Sequence, residues 1–225
     1  MLDDQPTFCL TDDEINDLNE LTILYKKVKK LVIEVEEWND KKAFAPTLLE
    51  LRNSLDHLMR FYAYKFGHKT DVSDDYPEKN LFKCKGHLYR AGYDSLDYLS
   101  IEITESILER VEPFSTGAIS ATIPEYFDKI RPDMEEISQT IADIRASKDM
   151  DKKNSQDIDS HIEAIERLRL YYNDILKKIN TLNEYEEKKK KEMRSYNNKE
   201  LKILIIGGII GGVILLIFQE IFNLI

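Results

Sequence analysis

The chain has 225 residues, of which 32 are basic and 42 acidic, giving a formal charge of −10. So acidic a chain is a poor non-specific nucleic-acid binder, and any anionic ligand requires a local basic site. Its two cysteines, Cys9 and Cys84, show neither metal-site nor disulfide-framework spacing, which fits a reducing compartment.

Only eight glycines and six prolines interrupt long periodic runs, so the fold class expected is all-α. The acidic opening at residues 1–6 has no apolar stretch, and no secretory signal is expected there. Thr11 and Glu14 have the spacing of a capping box. Beyond it Leu21, Leu24, Val28, Leu31, Val35 and Trp38 alternate spacings of three and four, predicting a first helix that ends near Asp40. Pro46 suits the first turn of a second helix, with Leu48, Leu51, Leu55, Leu58 and Tyr62 as its buried face and Gly67 as its stop. Residues 68–79, polar and holding Pro77, read as a loop.

A third helix is expected from about Leu81 to Val111, with Gly86 and Gly92 as places of close approach. Pro113 to Gly117 should end it; a short helix follows Pro124, and another runs from Pro132 to near Ser147. The polar segment 148–157 reads as a hinge. Ile158, Ile165, Leu168, Tyr172, Ile175, Ile179 and Leu182 then keep heptad register, with His161 at one d position.

Residues 203–219 contain no charge, and at 1.5 Å per residue they make about 25 Å of helix, near the lower limit for a membrane span. Gly207 with Gly211 and Gly208 with Gly212 form small-xxx-small pairs suited to helix self-association. Seven Lys and Arg between 188 and 202 oppose a tail with none, so the N-terminal part is expected in the cytosol. The expected organisation is a cytosolic helical sensor domain at 1–150, a heptad stalk with a basic juxtamembrane segment at 151–202, a transmembrane helix at 203–219 and a short external tail at 220–225. That is a tail-anchored, single-pass protein of the inner membrane.

Few residues could carry chemistry. His57-Leu58-Met59-Arg60 and His87-Leu88-Tyr89-Arg90 repeat one pattern thirty residues apart on consecutive helices. Asn53, His57, Arg60 and Tyr64 share a face of the second helix, and Lys83, His87, Arg90 and Asp94 repeat that spacing on the third. Two facing ledges, with Arg52 and Lys85 beside them, would offer planar forks and amines to phosphate oxygens, while Tyr64 and Tyr89 could stack on bases. The alternative is a solvated face with Asp56–Arg60 and Arg90–Asp94 as intrahelical ion pairs. There is no phosphate loop, nucleophile elbow, His-x3-His or Cys-x2-Cys spacing, so neither an enzyme nor a cofactor is expected.

Two resemblances follow from these residues. Arg52-Asn53-Ser54-Leu55-Asp56-His57 resembles the Arg-x4-His pattern of HEPN-type RNases, which implies Arg52 as phosphate clamp and His57 as acid/base. Five helical residues nevertheless separate those side chains by about 140°. The whole architecture of helical domain, heptad stalk and Gly-rich tail anchor is similar to Hailong-type membrane effectors of bacterial anti-phage defence. That likeness implies a homo-oligomer, with four subunits as the candidate number. It also implies control by a nucleotide or single-stranded DNA oligomer made by a partner nucleotidyltransferase, and permeabilisation of the inner membrane through a channel. Gln219 and Glu220 would then line the pore mouth. A tail-anchored tether or fusion-type coiled coil would show the same heptads and anchor without needing the ledges.

Overall fold

The computed structural model describes residues 9–146 and 155–223, with side chains described at 9–143 and 158–212. Among the described residues the fold has six α-helices and one π-helical turn: α1 (Asp12–Trp38), α2 (Ala45–Lys65), α3 (Tyr76–Val111), α4 (Thr116–Thr122), the π-turn (Tyr126–Ile130), α5 (Arg131–Ala146) and α6 (Ser155–Asn223). The all-α expectation holds for the described residues, with no strand among them.

The central element is α3. Its buried positions, Leu81, Cys84, Leu88, Leu96, Leu99, Ile103 and Ile107 among them, form one broad stripe, while Lys83, Ile101, Glu105 and Leu108 on the far side are exposed. So broad a stripe on so long a helix needs cover from several neighbours. Accordingly α1, α2, α5 and α6 all pack on it. Small residues set the spacing. At Gly92 a Cβ would come within 2.7 Å of Ile158 Cδ1 and 3.3 Å of Val28 Cγ2, so α1 and α6 both close in at that point. Gly86 has only Arg90 nearby, at 3.9 Å, and serves no such approach.

Local signals fix the helix ends. Thr11 Oγ1 accepts from Glu14 N at 3.2 Å and Glu14 Oε2 accepts from Thr11 N at 2.9 Å, completing the capping box. Gly67, at φ 73°, ends α2: its N–H reaches the Tyr64 carbonyl and that of His68 the Ala63 carbonyl, a Schellman pair. The third helix starts earlier than its periodicity suggests, at Tyr76, because Pro77 occupies its first turn rather than a loop. Ser115 caps the short α4, which falls where only a helix end was expected. Residues 147–154, most of the expected hinge, lie outside the described residues.

Two expectations are corrected. On α2 the leucine row is not the buried face. Leu48 and Leu55 are 40% and 55% exposed, whereas Thr47, Ser54 and Phe61, seven residues apart, are the buried positions. The seam between α2 and α3 is therefore mostly polar: Thr47 Oγ1 lies 3.3 Å from Ser95 Oγ, and Ser54 Oγ donates to the Cys84 carbonyl at 3.2 Å.

The second correction concerns the membrane. Among the described residues no helix is long and apolar enough to cross one, which overturns the expected C-terminal span, the tail anchor and the single-pass inner-membrane placement. The apolar run with described side chains covers ten residues, 203–212. That is about 15 Å of helix against roughly 30 Å of hydrocarbon.

The heptad positions of α6 are buried as expected, with Ile158, Ile165, Leu168, Ile175 and Leu182 fully enclosed. Their cover is the chain's own body, however, not a second stalk. Lys27 pairs with Asp159 at 2.6 Å and Arg169 with Glu34 at 2.9 Å, pinning α6 to α1. Glu186 Oε1 accepts from Ser115 N at 2.9 Å. Every residue from 187 to 212 is exposed. The helix therefore leaves the body just beyond Glu186, with Lys189 Nζ still beside Gly117 of α4, and its exposed residues to 212 extend for about 39 Å.

Candidate functional site

Antiparallel packing of α2 on α3 brings the two His-Leu-x-Arg ledges together. The His57 and His87 rings stack with centroids 5.2 Å apart and planes 17° from parallel. Asn80 Nδ2 donates to the Tyr76 carbonyl at 2.8 Å, which turns Asn80 Oδ1 towards His57 Nδ1 at 2.9 Å. His57 Nδ1 must then carry a proton. His87 Nδ1 lies 2.6 Å from Glu50 Oε2 and 2.8 Å from Arg90 Nη2. It cannot both donate to the carboxylate and accept from the guanidinium. The proton belongs towards Glu50, since two acceptors facing each other at 2.6 Å would repel.

Glu50 is the residue that the sequence pattern missed. It lies seven positions before His57, on the same face of α2, and its carboxylate also accepts from Arg90 Nε at 3.0 Å. Burial by itself would raise the Glu50 carboxyl, but the hydrogen bonds from His87 and Arg90 outweigh it and hold the group below its ordinary value. A lowered folded-state pKa gives stability that is complete above the unfolded value of about 4.3 and is lost as pH falls through the folded one. Glu50→Gln should therefore flatten the acid side of a plot of melting temperature against pH. An unchanged acid limb would mean that Glu50 adds nothing at low pH.

Of the other basic groups placed at the ledges, Arg60 and Lys85 are also neutralised or turned away. Arg60 pairs with Asp56 at 2.8 Å, and Lys85 points to Glu20 on α1. Tyr89, expected to stack on bases, is buried instead, and that burial raises its hydroxyl pKa. Tyr64 sits beside Tyr76, with centroids 6.1 Å apart. Lys83 is exposed, and Asn53 Oδ1 accepts from Arg52 Nη2 at 3.3 Å. An incoming phosphate would have to displace Glu50 from Arg90 and Asp56 from Arg60.

Arg52 and His57 diverge as their spacing requires. His57 faces α3, while Arg52 lines the space between α1 and α2. The Cys84 thiol is buried, which raises its pKa and leaves it a poor nucleophile. Among the described residues no three His, Cys, Asp or Glu side chains are placed to hold a metal. Around Gly207, Gly208, Gly211 and Gly212 a Cβ would meet nothing within 4 Å. The side chains of Gln219 and Glu220 lie outside the described residues. No family model, curated protein or solved structure matches the chain.

Proposed function

We propose that the chain is a non-catalytic assembly protein, in which the projecting part of α6 joins copies and the bundle is the body they carry. One observation carries this: Ile203, Leu204, Ile205, Ile206, Ile209 and Ile210 are each between 54% and 72% exposed on one projecting helix. An apolar side chain left in water forgoes about 1.5–3 kcal/mol of burial, so six in one stretch create a strong demand for cover. Copies of the same helix supply it, and the open glycine stripe lets their backbones approach. His57 and His87, the best acid/base candidates, are spoken for by Asn80 and Glu50. The ledges stand outside the proposal, because their own carboxylates already occupy them.

Sedimentation velocity of the full chain is the test. The parent should sediment as a defined oligomer, and Ile206→Asp with Ile210→Asp should convert it to a folded monomer. A parent that is monomeric, or kept in solution only by detergent or lipid, would overturn the proposal. So would an oligomer indifferent to both substitutions.

A further inference from the structure

Both α1 and α2 pack on α3 rather than on each other. A cleft of about 560 Å³ remains between them, with Cys84 and Leu88 as its floor and Leu21, Tyr25, Leu55 and Leu58 on its walls. Its apolar lining follows from the polar seam: α2 spends Thr47 and Ser54 on α3, and its leucine row is left facing α1. Beyond one end Lys65 Nζ meets Glu14 Oε2 at 2.5 Å with both side chains nearly buried. The lining extends along α2 from Leu51 to Tyr62, about 16 Å, which suits an alkyl chain of roughly ten carbons.

The polar groups of the cleft give the ligand its other end. Ser54 is bonded to the Cys84 carbonyl, and Thr22 Oγ1 donates to that of Leu18 at 2.8 Å. Arg52 differs: it lines the cleft, yet among the described residues no carboxylate pairs with it, whereas Arg60 and Arg90 on the ledges each have one. An apolar slot with a single uncompensated guanidinium is complementary to an amphiphile with one anionic head. We propose that this cleft binds such a molecule, of the class of medium-chain carboxylates, with the chain between the leucines and the head on Arg52. The site is separate from the assembly helix and does not depend on it.

Calorimetric titration of the full chain with decanoate, below its micelle-forming concentration, tests this. Saturable binding of one decanoate per chain is expected. Arg52→Gln, a change at an exposed position, should weaken it about tenfold or more, with Arg52→Lys retaining part of the affinity. Decanol should bind the parent as weakly as decanoate binds Arg52→Gln. Leu58→Trp should fill the slot and remove binding while circular dichroism stays helical. Binding must persist in the Ile206→Asp, Ile210→Asp chain, which separates the cleft from the apolar tail. No saturable binding, equal affinity for decanoate and decanol, or indifference to Arg52→Gln would each overturn the assignment. Loss of binding in the tail variant would do the same.

Discussion

Replacing Gly92 by leucine should strip α6 from the body. The new Cβ alone would sit 2.7 Å from Ile158 Cδ1 and 3.3 Å from Val28 Cγ2, and both neighbours are fully enclosed, so neither can swing into solvent. Alanine places one carbon there. Its overpacking of about 1–3 kcal/mol is partly offset by the gain of about 1 kcal/mol in helix propensity. Leucine adds three more carbons to a point where three helices meet, and a loss above about 3 kcal/mol follows, or roughly 10 °C in melting temperature for a chain of this size. Thermal melts of the two variants check this. A leucine variant that melts with the parent would mean that α6 does not close on α3 as described.

Phe61→Ala should be nearly as damaging, by about 3–5 kcal/mol. Phe61 is fully enclosed, and it is the one large apolar side chain that α2 buries; its companions there are Thr47 and Ser54. With the ring gone, α2 would rest on α3 mainly through polar contacts, those of Thr47, Ser54, Glu50 and His57, each worth about 1 kcal/mol net. Leu55→Ala is the matched comparison. On apolarity alone the two would be equivalent, but Leu55 is more than half exposed and should change stability by about 0.5 kcal/mol or less. Urea denaturation of both variants decides. Equal losses would show that the leucine row, not the Phe61 row, faces α3.

That contrast also explains how far the fold was legible. Apolar spacing reports which positions share a face, and it identified the α1 seam and the heptads of α6 correctly. It does not report what covers a face. The α6 heptads meet the chain's own body, and the α2 leucines meet an open cleft. Thr47, Ser54 and Phe61 recur every seven residues, but two of the three are polar, so a search for apolar periodicity passes over them. Pro77 looked like a loop residue because proline in a first turn and proline in a loop have the same letter; its partner signal, a helix already begun at Tyr76, exists only in three dimensions. For the site, the echo of His57 and His87 did mark two residues that meet. Glu50 escaped because its significance depends on His87 and Arg90, some forty residues away. The apolar run near the C-terminus was plain in the sequence, but among the described residues it does not make a helix long and apolar enough to cross a membrane.

The junction of α1 with α6 has an optical consequence. The chain has a single tryptophan, Trp38, and its ring meets Tyr172 of α6 edge-on with centroids 5.0 Å apart. Arg110, on α3, donates to the Tyr172 hydroxyl at 2.8 Å, so the ring is held from both sides. All indole emission from this protein therefore originates where α1 meets the packed part of α6, about 21 Å before that helix leaves the body, with no second fluorophore of its kind to dilute it. Seating or lifting of α6 changes the polarity around that one chromophore, and the chain carries its own reporter on a contact that holds α6 to the body.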